Sequence, residues 1–185
     1  MISLDISNAG DIVYALTDSQ TDYADLYIRE SDGDERLIRN NENDVTVWTR
    51  WSPDGQKIAF LKFTSVQDGG IWLINSDGSN IKRVSDVNWN YPPIWSHNGK
   101  KILFASGANI FEYDTEQNNL ESKTSFISGF VKQPNYAVGE DVVVFSRDFN
   151  QESQIWSTDI NRITKQLTET KQLKTYPVMV YEINE

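Results

Sequence analysis

Apolar residues in this chain fall into short runs of four or five, with polar turns between them. "IVYAL" at Ile12, "IAFL" at Ile58, "ILFA" at Ile102 and "VVVF" at Val142 form one set. A second set follows at a steady distance: "DLYI" at Asp25, "GIWLI" at Gly70, "NIFEY" at Asn109 and "QIWST" at Gln154. No stretch of ten or more residues sustains a spacing of three and four, so helices are not predicted. The runs read as strands, and their Val, Ile and aromatic content agrees. Strands that are apolar on successive residues need cover on both faces.

The two sets keep step. Tyr14, Phe60, Phe104 and Phe145 recur at intervals of 46, 44 and 41 residues, and Tyr27, Trp72, Phe111 and Trp156 at 45, 39 and 45. A period of this length marks repeated supersecondary units. The turns repeat as well: "SPDG" at Ser52, "SHNG" at Ser96, "SNAG" at Ser7 and a degraded "AVGE" at Ala137. Proline presets φ, Asp or Asn bonds its own backbone, and Gly takes positive φ without strain. "SDGDE" at Ser31 and "SDGSN" at Ser76 predict a second hairpin, followed by "RLI" and "KRV" as outer strands.

Each unit therefore reads as four strands, A to D. Four short strands in about 40 to 45 residues make one blade of a β-propeller, covered on each side by its neighbours. The predicted fold is all-β, with four-stranded antiparallel blades over 2–40, 41–86, 87–126 and 127–168. "YPVMV" near the C-terminus predicts the first strand of another blade, over 173–181.

"WSPDGQKIAF" followed by "GIWLINSDGSNIKRVS" is similar to the TolB-type propeller repeat, a relative of the WD repeat, and "YPPIWSHNGKKILF" resembles its strands A and B. The resemblance covers nearly the whole chain and is strongest in the second blade. It implies a ring of about six or more blades. Four blades and the start of a fifth are then expected to be a piece of a longer propeller, or to complete a ring with copies of the chain or with a partner. A four-bladed ring with the tail packed elsewhere is the alternative. The resemblance also implies an exported setting, periplasmic or extracellular, in which the propeller docks proteins.

Composition narrows the chemistry. Acidic residues number 27 against 17 basic ones, a net charge of −10. That sign repels phosphate backbones and anionic bilayers, so neither nucleic acid nor membrane is an expected partner. The absence of cysteine excludes disulfides, thiolate metal sites and thiol catalysis. No run reaches the 18 or so apolar residues of a membrane helix, and "MISLDIS" lacks the pattern of a signal peptide.

No catalytic residue, metal site or cofactor is predicted. His97, the one histidine, replaces Pro53 of the sister turn and reads as a solvated turn residue rather than a triad member. Ser7, Ser52 and Ser96 precede turns, where a hydroxyl bonds the local backbone. The acidic turns at Glu30 and Asn75 are too short to gather the six to eight oxygens that calcium takes.

One rim is more informative. The B–C and D–A loops emerge on the same side of a blade, in "TDSQTDY", "NNENDVTVW", "FTSVQDGG", "DVNWNY" and "RDFNQES". They are polar and acidic but also carry Tyr23, Trp48, Trp89 and Phe149. Aromatic anchors among polar residues are a common composition of binding surfaces. Trp89, between Asn88 and Asn90, suits a surface and a core position equally. Trp48, beside strand-like Val45 and Val47, suits the core better. The expected function is a non-catalytic scaffold binding a protein or peptide through this rim. The alternatives are the propeller of a prolyl oligopeptidase-like enzyme, which similar blades form, and a carbohydrate-binding or glycosidase-type propeller.

Overall fold

A computed structural model describes residues 3–17, 23–39, 44–65, 68–86, 91–137, 139–150 and 152–169. The predicted strand over 173–181 and the rim residues Asn88, Trp89 and Asn90 lie outside the described residues.

Sixteen strands form four sheets of four, and no helix occurs among the described residues. The first sheet holds β1 (Ser3–Ile6), β2 (Ile12–Thr17), β3 (Ala24–Arg29) and β4 (Glu35–Arg39). The second holds β5 (Val45–Trp51), β6 (Lys57–Ser65), β7 (Asp68–Asn75) and β8 (Lys82–Asp86). The third holds β9 (Ile94–Trp95), β10 (Lys101–Ser106), β11 (Asn109–Asp114) and β12 (Asn119–Ser122). The fourth holds β13 (Phe130–Tyr136), β14 (Val142–Phe149), β15 (Glu152–Asp159) and β16 (Thr164–Gln166). Strands pair antiparallel in chain order within every sheet. Hairpins β6–β7 and β14–β15 run further than the sequence suggests, so much of "FTSVQDGG" and "RDFNQES" is strand.

The recurring aromatics are cross-strand partners. Tyr14 opposes Tyr27, Phe60 opposes Trp72, Phe104 opposes Phe111 and Phe145 opposes Trp156. Such directly opposed pairs are the unit of sheet stabilisation. They define a leading face on each blade. The intervening residues of the same strands form an aliphatic trailing face.

Three hydrophobic clusters join trailing to leading faces. Val13, Leu26 and Ile28 meet Ile58, Phe60 and Trp72. Ala59, Leu61, Ile71 and Leu73 meet Ile102, Phe104 and Phe111. Leu103, Ala105 and Ile110 meet Val143, Phe145 and Trp156. Phe60, Phe104 and Phe145 are consequently buried completely. Among the described residues no cluster joins the fourth sheet to the first.

The A–B turns share one wiring. Ser52 Oγ donates to Asp54 Oδ1 at 2.6 Å and accepts from the Lys57 N–H at 2.9 Å. Ser96 Oγ does the same with Asn98 and Lys101, both at 2.9 Å. Ser7 Oγ accepts from the Ala9 and Asp11 N–H groups. Burial pushes the Asp54 carboxyl up, but the Ser52 and Gln56 donors and the Lys57 charge hold it below its ordinary value overall. These serines are turn fasteners, each satisfying backbone donors at a strand junction.

A charged group is also buried between blades. Glu112 on the third trailing face accepts from Lys101 Nζ at 3.0 Å and from Tyr136 Oη at 3.0 Å, with Lys123 Nζ at 3.5 Å. Buried ions of this kind survive because every partner is present. Burial first, and then the Glu112 charge and hydrogen bond, raise the Tyr136 phenol far above its ordinary pKa.

Candidate binding rim

The B–C and D–A connections lie at one end of the blades. At the fourth blade the chain from β12 to β13 is fastened closely. Asn109 Oδ1 accepts from the Phe126 N–H at 2.8 Å and from Thr124 Oγ1 at 3.0 Å, while its amide donates to the Phe126 carbonyl at 3.1 Å. Phe126 packs edge-on against Phe145 and Trp156, with centroids 6.1 and 5.6 Å away.

Arg147 completes the support. Its guanidinium carbon lies 4.1 Å from the centre of the Phe126 ring, 4.7 Å from Phe149 and 5.5 Å from Trp156. Cations over ring faces are attracted by the ring quadrupole. One guanidinium nitrogen donates to the Ser128 carbonyl at 2.9 Å. Burial among these rings pushes the arginine pKa down from its usual value. Gly129 takes φ +90°, and a Cβ there would meet the Asp148 carbonyl at 2.6 Å, so only glycine lets the loop approach β14. Lys132 and Asp148 form an ion pair beside it.

On this fixed base three large apolar side chains face solvent. Ile127 is 101% exposed, Phe130 60% and Phe149 43%. Phe130 pairs with Asp148, so its side chain leaves the sheet on the face opposite to that of Phe149; both stand at the rim corner of the fourth blade, where the connection carrying Ile127 enters β13. Large exposed apolar groups gathered at one end of a blade are a candidate interaction site.

The sequence-predicted residues separate. Phe149 is part of this corner. Tyr23 is half-buried, immediately before β3. Trp48 packs against the cluster between the second and third blades. It sits at a bulge between Val47 and Arg50 with φ +55°, a kink that turns its ring inward. Asn88, Trp89 and Asn90 lie outside the described residues. Ile127 and Phe130 escaped the sequence reading, although "FISGF" between two polar stretches carries the signal: three apolar residues around a Ser-Gly turn.

A second concavity opens at the opposite end, between the A–B turns of the third and fourth blades. It encloses about 520 Å³ and is lined by Trp95, His97, Asn98, Asn135, Tyr136 and Glu140 among others. Glu140 accepts a hydrogen bond from the His97 backbone N–H, and His97 is exposed. Trp95 Nε1 donates to the Arg50 carbonyl at 3.0 Å, and Tyr136 Oη to Glu112. The two rings are thus tied to neighbouring strands rather than aimed at a reacting group. No group of three or more potential metal ligands occurs among the described residues.

Sheets stacked leading face to trailing face, each fed by a short A–B hairpin, define a β-propeller. Comparison with known proteins agrees and specifies the type. The chain superposes on TolB from Acinetobacter baumannii with a TM-score of 0.69 at 22% identity, over 93% of this chain and 45% of that one. The β-propeller domain of the Trilobed protease from Pyrococcus furiosus, described as having an open velcro topology, superposes at 0.66 and 16% identity, over 91% of this chain and 58% of that one. The fold is that of a TolB-type β-propeller. No family model matches the chain. In sequence, it is 28% identical over 78 residues to the uncharacterized peptidase YuxL of Bacillus subtilis strain 168, covering 39% of this chain and 12% of that protein. The chain thus spans only part of the length of each of these proteins.

Proposed function

We propose that this chain is a non-catalytic scaffold that binds a protein or peptide partner through its loop rim, with the contact centred on Ile127, Phe130 and Phe149. The observation that carries the reading is the exposure of Ile127, on a loop already fastened by Asn109 and Arg147, with Phe130 and Phe149 exposed at the ends of the strands beside it. A surface ordered before binding loses little further entropy when a partner docks, so its apolar contacts convert efficiently to affinity. The net charge of −10 favours partners that add basic residues around their apolar anchors.

Selection from a displayed random-peptide library tests this. Selected peptides should share an apolar anchor, compete with one another and lose binding to an I127S/F130S variant. These are surface substitutions, expected to move stability by no more than about 0.5 kcal/mol, so the variant should melt with the parent. Peptides that bind the variant as tightly as the parent would reject the rim as the site.

A second reading is favoured by the 28% identity to a Bacillus subtilis peptidase. Within a longer protein the chain would be the propeller part of a hydrolase, with the catalytic residues elsewhere. A neighbouring coding segment with a Gly-x-Ser-x-Gly turn between strand and helix would indicate it.

A further inference from the structure

The cavity between the A–B turns of the third and fourth blades holds a charge that the chain itself does not answer. Its walls are two blades packed directly on each other through Leu103, Ile110 and Phe145, so the space belongs to their junction. Glu140 stands half-buried in that wall and accepts the hydrogen bond from the His97 backbone N–H. The bond occupies one carboxylate oxygen, and among the described residues the other has no hydrogen-bond or ion-pair partner. No lysine or arginine lines the cavity. The lysines of the neighbouring turn are engaged elsewhere, Lys100 with Glu116 at 3.1 Å and Lys101 with Glu112 at 3.0 Å. Rings supply another part of the wall. Trp95 and Tyr136 turn their polar atoms away, to the Arg50 carbonyl and to Glu112, so what they offer the cavity is ring carbon. Burial and then Glu112 raise the Tyr136 phenol, and the Glu140 charge adds to them, so its field extends to that ring.

We propose that this cavity binds an alkyl cation, the side chain of a lysine or arginine or a free polyamine, whose charged head pairs with Glu140 while its methylene stem lies against Trp95 and Tyr136. Long basic side chains divide in this way, with the stem on apolar surface and the head at a polar group. Aromatic rings attract the head as well. The volume of about 520 Å³ lies within the range of small-ligand sites. An anion would be repelled by Glu140, and a neutral polar ligand would leave its charge unanswered. The net charge of −10 draws cations to the whole surface, but Glu140 is set apart from acids on the open surface by the two rings and the concavity beside it. The cavity lies at the opposite end of the blades from Ile127, so either reading can fail without the other.

Nuclear magnetic resonance of the full isotope-labelled chain reads the site through the Trp95 indole N–H, assigned by its loss in Trp95→Phe. Arginine blocked at both ends should move that signal with a Kd on the order of 1 mM, the strength a single side chain reaches. Blocked citrulline, which has the same shape and no charge, should bind about threefold more weakly. Glu140→Gln keeps an acceptor for the His97 N–H. It should weaken arginine by a similar factor and leave citrulline unchanged, and the unchanged citrulline shows that the cavity is intact. Added salt should weaken arginine and not citrulline. Spermidine is titrated in the same way. Binding of either cation that depends on Glu140 supports the site, and the tighter of the two names the source as a polypeptide side chain or a free polyamine. A Trp95 signal that neither cation moves up to about 20 mM, well above that Kd, overturns the proposal. So does citrulline binding as tightly as arginine, or a Glu140→Gln variant that binds both cations as the parent does.

Discussion

Phe60 and Tyr14 occupy the same place in the repeat, yet truncating them should have very different consequences. Phe60 is completely buried between the first and second blades, opposite Trp72 and against Val13, Leu26 and Ile28. A buried aromatic side chain removes roughly 200 Å² from water, worth about 5 kcal/mol at 25 cal/mol/Å² as an upper bound. Truncation adds a cavity term and relaxation offsets part of it, so Phe60→Ala should cost about 3 to 5 kcal/mol. Among the described residues no sheet lies in front of Tyr14, which stacks on Tyr27 and bonds Glu35. Tyr14→Ala should cost about 2 kcal/mol, since half the ring area at 25 cal/mol/Å² is an upper bound of about 2.5 kcal/mol and no closed cavity is left behind. Urea unfolding followed by tryptophan fluorescence measures both, at concentrations low enough for the chain to be monomeric. Equal losses would refute the claim that neighbouring blades, rather than the strand pairing within one sheet, bury these aromatics.

Three further outcomes follow from the same contacts. Glu112→Ala strands Lys123 in the interface between the third and fourth blades and should cost about 3 to 5 kcal/mol in urea unfolding; adding Lys123→Met should recover part of it. Spectrophotometric titration should show Tyr14 ionising near pH 12, raised by burial and then by the Glu35 hydrogen bond and charge, with Tyr136 ionising later still. Because both pKa values are raised in the folded state, the linked stability is complete below about pH 10 and is lost as pH climbs through the folded values, so alkaline unfolding should begin above the ordinary tyrosine range. Ser96→Ala removes the hydroxyl that takes the Lys101 N–H and binds Asn98, and thermal melting should register a loss of about 1 kcal/mol.

Much of the architecture is legible in the chain because a blade writes its own pattern locally. The intervals between Tyr14, Phe60, Phe104 and Phe145, and between their partners, become cross-strand pairs in every sheet. Ser52 and Ser96 head identical turns because the Asp54 and Asn98 side chains close the same backbone loop. The binding corner is less legible because its exposure is decided by distant contacts. Asn109 in β11 and Arg147 in β14 hold the 123–130 segment from separate strands, and no local spacing announces that Ile127 and Phe130 end up facing water. Trp48 is the opposite case: its strand-like neighbours Val45 and Val47 already favour the core in the sequence, and what the sequence does not show is the bulge in β5 that turns the ring there. The charge at Glu112 is likewise unreadable from the sequence, since an acid on a trailing face makes sense only beside Lys123 and Tyr136.

Amide hydrogen exchange with and without a bound selected peptide tests the functional account most directly. Protection confined to the backbone around Phe126–Phe130 and Arg147–Asn150, with unchanged exchange in the A–B turns at Ser52 and Ser96, is the result expected of rim docking. Protection at those turns, with the Ile127 loop exchanging as before, would place the partner at the wrong end of the propeller and contradict it.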